Sequence, residues 1–217
     1  MKRLIFKLLT IAVILPVVFV GCKKRQITMS TEKTEVRIGM GGSGFATIDW
    51  GNGIKEKKSF DEGWLDFNYE YENDTLRTIT ITGDKITKLI CYGNKLKTLN
   101  VSGFTELEWL HCAANELRSL NVSGLIGLKK LHCYGNQLTS LNVSKLTKLE
   151  NLSCGNNFMT AAAFDALFRS LPTVSSGIIS ISSNDAEHDE FGTSGSKTSI
   201  ATEKGWTLYL GNFNNLP

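Results

Sequence analysis

The chain has little proline, no excess charge beyond its first residues and no catalytic signature, and each absence excludes something. Three prolines among 217 residues, beside 20 glycines and frequent asparagine, exclude a proline-rich stalk and indicate many tight turns. Of 24 basic and 21 acidic side chains, the basic Lys2, Arg3 and Lys7 all precede Cys22, so the chain from Cys22 onward carries 21 of each sign. That balance argues against a dominant electrostatic attraction to a phosphate backbone while leaving room for a local patch, and nucleic acid is not expected as a partner. Nucleophile elbow, phosphate loop and H-E-x-x-H motif are all missing. Gly39 to Gly44, interrupted by Met40 and Ser43, reads as a hairpin tip, and Asp61 and Glu62 sit in polar loop text. The reading is therefore of a chain that is not an enzyme and needs no cofactor.

The longest apolar run, Leu8 to Val20, falls short of the roughly 20 residues of a spanning helix. A basic start, a short apolar stretch and Gly21-Cys22 read as a cleaved export signal over 1–21. What remains, about 195 residues, is enough for one or two domains with a real core.

Self-similarity is the strongest signal. Cys91, Cys112, Cys133 and Cys154 are spaced 21 residues apart. Around them stand Leu89-Ile90-Cys91-Tyr92-Gly93-Asn94, Leu110-His111-Cys112-Ala113-Ala114-Asn115, Leu131-His132-Cys133-Tyr134-Gly135-Asn136 and Leu152-Ser153-Cys154-Gly155-Asn156-Asn157. A second half-motif recurs as Leu99-Asn100-Val101, Leu120-Asn121-Val122 and Leu141-Asn142-Val143. The pattern L-x-x-L-x-C-x-x-N-x-L is a leucine-rich repeat. Alternation in L-x-C sends Leu and Cys to one side of a strand, and stacking the coils forms a parallel sheet. Asn94, Asn115, Asn136 and Asn157, with Asn184 in a later variant copy, then form an internal ladder that hydrogen-bonds turn backbone. A coil of this length has little room for a long helix on its back, where extended or 3₁₀ segments are expected.

Beyond the repeats, Thr160 reads as the N-cap of a helix ending near Leu171, before Pro172. Ile179-Ser180-Ile181 restores the repeat core, and a second helix is expected over 197–204, ending at Gly205 and leading into Trp206 to Leu210. Such atypical ends cap a solenoid. Before the repeats, Glu35 to Ile38, Phe45 to Trp50, Phe67 to Tyr71 and Thr78 to Thr82 carry β signals. Ile79 to Ile81 could belong to this β segment, to a first half-repeat, or to both.

The expected fold is thus an α/β leucine-rich-repeat solenoid. It comprises a signal (1–21), Cys22 and a linker (22–34), a β-sandwich-like cap (35–83), the repeats (84–159) and helix-containing capping repeats (160–217).

Three resemblances follow from these residues. Val20-Gly21-Cys22 resembles a bacterial lipobox, with Phe19 where leucine is usual. It implies lipid attachment at Cys22 and a cell-envelope location, most readily the outer membrane, with the side left open. Asp49-Trp50-Gly51-Asn52-Gly53 resembles the W-G-D-G turn of PKD-like β modules, with Asn52 for the aspartate. The whole resembles bacterial envelope leucine-rich-repeat lipoproteins, distantly similar to internalins, which implies recognition or adhesion.

The candidate ligand-binding set is Tyr92, Trp109, His111, Lys130, His132 and Tyr134, flanking the inward Leu and Cys; Ser153, Ser180 and Tyr209 extend it. Aromatic side chains on a sheet face supply contact area at low entropic cost. Their alternative role is to pack on one another across coils. His111 and His132 share one ladder position and are read as an exposed pair, two ligands being too few for a metal site. The cysteines are read as buried free thiols, since in-register parallel strands provide neither a zinc tetrahedron nor disulfide geometry. His188 falls in a solvated polar loop. A protein or glycan partner, a lipid-anchored monomer and no metal complete the expectation.

Overall fold

The computed structural model describes residues 25–60, 63–181 and 197–209. Cys22, Asn184 and His188 lie outside the described residues. The chain runs β1 (Ile27–Thr31), β2 (Glu35–Asp49), β3 (Lys55–Ser59), β4 (Trp64–Glu70), β5 (Arg77–Ile90), β6 (Thr98–Asn100), β7 (Trp109–His111), β8 (Lys130–His132), β9 (Asn151–Ser153), α1 (Ala161–Ser170), β10 (Gly177–Ser180), α2 (Ser199–Thr202) and β11 (Trp206–Tyr209).

The 21-residue period becomes a parallel stack. Leu89, Leu110, Leu131, Leu152, Ile179 and Leu208 are in register through the end of β5, then β7, β8, β9, β10 and β11. The first five are wholly buried, and so are Cys91, Cys112, Cys133 and Cys154, all free thiols. Burial pushes the Cys112 and Cys154 thiols up to about 12, so they behave as small apolar groups. On the back of each coil the chain turns through successive i→i+3 hydrogen bonds: Leu125 N to Val122 O, then Leu128 N to Leu125 O, both 2.9 Å. The same pair of turns recurs at Val143 and Leu146, so the back of the coil is built of single turns and not of a continuous 3₁₀ helix.

The asparagines lie under the turns that follow the strands. Asn115 Oδ1 accepts from Asn94 N and Leu96 N of the preceding coil, both at 3.0 Å. Its Nδ2 donates to Cys91 O and Cys112 O, also at 3.0 Å. Asn136 and Asn157 repeat this one and two coils later, accepting from Leu117 N and Leu138 N. Asn94 has no earlier repeat to serve and binds β2 instead, accepting from Arg37 N at 3.0 Å and donating to Arg37 O at 2.7 Å. The ladder therefore extends into the cap.

The cap begins earlier than its composition indicates. Residues 22–34, read as a linker, contain β1, which pairs antiparallel with both β5 and β6. Ile27, Met29 and Thr31 are fully buried, a short alternation hidden among Ser, Thr and Lys. In this register Met29 sits between Ile79 and Leu99. Ile79 to Ile81 lies in β5, within the cap, and β1 separates it from the first half-motif at Leu99. Only the first half-motif gains strand pairing, because only it has β1 beside it.

Gly39 to Gly44 is not a hairpin tip. It lies within β2, whose register against β5 shifts between Gly41 and Gly42 and between Ser43 and Ala46. One end of β2 pairs with β4 and the end of β5; the other pairs with β3 and the start of β5. A Cβ at Gly42 would lie 2.0 Å from the Lys85 carbonyl oxygen, so the glycine marks close backbone approach and not a chain reversal. Trp50 fills the cap core, stacked on Tyr69 at 5.0 Å and with its carbonyl accepting from Tyr71 Oη at 2.7 Å.

At the other end Thr160 caps α1 through its side chain, which accepts from Ala163 N at 3.3 Å, and Phe164, Leu167 and Phe168 pack on the core. The second helix is shorter than 197–204: α2 covers Ser199–Thr202, and Gly205, with φ +84°, turns the chain into β11. Trp206 is buried and donates through Nε1 to Pro172 O at 2.8 Å.

Asn115→Ala removes an acceptor from two buried amides and a donor from buried carbonyls, and is expected to lower stability by roughly 3 kcal/mol. Asn121, exposed in a turn where its Oδ1 accepts from Ser123 N at 3.1 Å, is the control, with Asn121→Ala costing under about 1 kcal/mol. Guanidinium unfolding of both variants measures the difference.

Candidate aromatic site on the sheet face

Every second residue of the parallel strands points away from the core, giving two outward rows. One runs Lys88, Trp109, Lys130 and Asn151; the other runs Ile90, His111, His132 and Ser153. Neighbouring strands lie about 4.8 Å apart, close enough for large side chains on adjacent coils to touch.

They do touch, with His111 at the centre. Its ring stacks on Tyr92 at 5.4 Å between centroids and meets His132 edge-on at 5.2 Å. Trp109 lies nearly parallel to it at 6.4 Å, and Tyr134 is tilted at 6.1 Å. Trp109 also meets His132 edge-on at 6.1 Å. The rings thus pack on one another across coils and form one assembled strip. His111 and His132 are accordingly half-buried and not the exposed pair that spacing indicates, while Tyr92 is 55% exposed and Lys130 exposed at the margin. Ser153 and Ser180, at outward positions further along, are buried, because small hydroxyl side chains do not project past their neighbours.

Packing sets the charge state. Burial first, and the nearby His132 second, push His111 down to about 4. Burial also lowers His132; its hydrogen bond to Asn151 Oδ1, at 3.3 Å, opposes this and the Lys130 charge adds to it. Tyr134 is raised by burial and by Tyr92. At neutral pH the strip therefore presents uncharged rings beside one lysine. Two of its nitrogens, Trp109 Nε1 and His111 Nε2, are covered and have no hydrogen-bond partner among the described residues. Such atoms cost free energy in the free protein and call for a reason.

Among the described residues no group of three His, Cys, Asp or Glu is placed to hold a metal. All six sequence-derived residues, Tyr92, Trp109, His111, Lys130, His132 and Tyr134, fall on or beside this one strip. Sequence reasoning missed its continuation into the cap. The antiparallel strands β2 and β4 extend the same sheet, so the rows run on from Ile90 to Gly39 and Asp66, and from Lys88 to Gly41 and Trp64. Nothing in the repeat period announces strands outside the repeat; the alternation Trp64, Asp66, Asn68 was the available signal.

The depressed His111 pKa sets a pH dependence. Between about 4 and the ordinary value of 6.5 the unfolded chain binds a proton at His111 that the folded chain does not. The contribution is full above pH 6.5 and is lost as pH falls through this window. His111→Gln is expected to flatten the pH dependence of Tm there, and an unchanged slope would contradict the assignment.

No family model matches the chain, and no curated protein matches it. Solved structures give a likeness to the internalin InlF of Listeria monocytogenes, with 17% identity over 60% of this chain and 49% of that chain, at a TM-score of 0.34. A second likeness is to the functional domain of InlJ from Listeria monocytogenes, described as including a cysteine ladder, with 22% identity over 60% of this chain and 31% of that chain, at a TM-score of 0.30. The chain thus matches about half the length of the first and under a third of the second. The 21-residue period, the stacked coils and their Asn ladder make the fold of this chain leucine-rich-repeat-like.

Proposed function

We propose that this chain is a recognition module that binds a protein partner through the open face of its repeat sheet, tethered to a bacterial envelope membrane by lipid at Cys22. The observation that carries the reading is the aromatic strip, in which Tyr92, Trp109, His111, His132 and Tyr134 meet on one sheet face. The fold does not demand it: at the same outward register the next coils carry Asn151, Ser153 and Ser180. A preassembled aromatic surface loses little entropy on binding, and Trp and Tyr dominate protein-interface energetics. Neutral imidazoles keep the surface free of a desolvation penalty on charge. Lys130 at the rim suits a partner with an acidic residue there.

The stacked repeats serve as a rigid solenoid scaffold, and the balance of charge from Cys22 onward disfavours nucleic acid. The tether rests on Leu8 to Val20 and the lipobox-like Val20-Gly21-Cys22. Such a chain would act as an adhesin or receptor component, without catalysis.

The test is capture from envelope and host-surface extracts by a 23–217 fragment, followed by titration of the purified captured protein. Trp109→Ala is expected to weaken binding roughly tenfold or more with fold retained. Equal affinity of parent and variant would remove the site from this face. In the same preparations the full chain should pellet with membranes and Cys22→Ser should not; co-sedimentation of both would refute the lipid tether.

A further inference from the structure

We infer that a second site, adjoining the aromatic strip and sharing only Tyr92 with it, lies where the cap sheet joins the first repeat, and that it takes a short neutral oligosaccharide, whatever the strip itself binds. A cleft of about 580 Å³ opens there, lined by β4, β2, the end of β5 and the turn after it. Its size lies within the range of small-molecule sites. Three features define what it accepts.

Aromatic surface borders it twice. Trp64 reaches over the glycine of the neighbouring strand: a Cβ at Gly39 would lie 2.7 Å from the indole ring, so the bare backbone is what lets the ring lie there. Tyr92, 55% exposed, stands on the repeat side with Ile90 between. Flat, partly exposed rings suit the C–H faces of a pyranose, which are apolar while their rims are polar.

Exposed hydrogen-bonding groups come next. Asp66 and Asn68 follow Trp64 at alternate positions on β4, so their side chains leave the same face about 7 Å apart. The Asp66 carboxylate approaches the same point above Gly39, 3.3 Å from where a Cβ would be. Neither side chain has a hydrogen-bond partner among the described residues, although the Asp66 backbone carbonyl accepts from Lys58 Nζ at 2.7 Å. An acceptor-only carboxylate beside a carboxamide, which both donates and accepts, matches vicinal hydroxyls.

The cations of the cleft are each held in place by a neighbour. Arg37 is held by the Glu35 carboxylate, and Lys33 Nζ donates to Gly93 O at 2.8 Å. The charged side chains lining the cleft balance, Lys33 and Arg37 against Glu35 and Asp66, so its lining carries no net charge to draw a phosphate or a carboxylate, which favours a neutral ligand. An added peptide strand is disfavoured on the cleft floor, because β2 there is already paired on both sides, with β4 and β5.

The experiment titrates the full chain with cellotriose, chitotriose, mannotriose and laminaritriose, reading tryptophan emission and calorimetric heat. At least one is expected to bind saturably, with a dissociation constant on the order of millimolar or tighter. Asp66→Ala and Asn68→Ala, both at exposed positions without partners, should retain the fold and weaken binding roughly tenfold. Gly39→Ala should displace the indole and abolish the emission change, while Trp109→Ala leaves sugar binding intact. Asp66→Ala should capture the protein partner as the parent does, which separates failure of one site from failure of the other. The inference is overturned if no trisaccharide saturates, if Asp66→Ala and Gly39→Ala bind as the parent does, or if oligogalacturonate binds more tightly than every neutral probe.

Discussion

A single side-chain amide per coil, buried beneath the turn that follows the strand, holds this structure in register. A parallel stack with coils this short leaves backbone N–H and C=O groups unpaired wherever the chain leaves the sheet, and a dry interior offers them no water. Asparagine has one acceptor and two donor hydrogens on a short stem, so one residue serves both kinds of orphan. Asn115, Asn136 and Asn157 each accept from the preceding coil and donate to carbonyls of two coils. The ladder is therefore a chain of inter-coil ties, and its first rung, Asn94, makes the same kind of bonds to Arg37 backbone on β2. What unites the cap with the repeats is the bonding that unites the repeats with one another.

The outer face inherits its order from this inner one. Once Leu and Cys point in at a fixed register, the residues between them point out at the same register, and equivalent positions on adjacent coils become neighbours. His111 above His132, with Trp109 beside both, is a consequence of spacing. The choice of rings at those positions is not, since Ser153 occupies the same row one coil later. The free cost of leaving Trp109 Nε1 and His111 Nε2 unpaired falls on the face and not on the core.

Much of this was legible in the sequence because repetition averages out local ambiguity. The strands at β7, β8 and β9, the buried cysteines, the Asn bonds and the Thr160 cap follow from period and residue type alone. The misreadings fall where no repeat disciplines the text. Ile27 to Thr31 is a short alternation among polar residues, and its burial depends on partners 50 and 70 residues away in the chain, in β5 and β6. Gly39 to Gly44 looks like turn chemistry, yet the glycines answer to Lys85 backbone and the Trp64 ring, contacts that a linear reading cannot pair. The site was legible as a list of residues and not as a state: spacing brought the imidazoles together, but their burial and lowered pKa follow from the rings on either side. Trp64, Asp66 and Asn68 were passed over because the continuation of the sheet through β2 and β4 is a tertiary fact.

The ladder is tested most directly by hydrogen exchange at the Leu117 and Leu138 amides in the parent chain and in an Asn136→Ala variant. Leu117 N donates to Asn136 Oδ1 at 3.1 Å, and Leu138 N to Asn157 Oδ1 at 2.9 Å. If the asparagines are the ties between coils, Leu117 loses most of its protection in the variant while Leu138 keeps more of its own. Undiminished protection at Leu117 would contradict the account and return the cohesion of the stack to the leucine core alone.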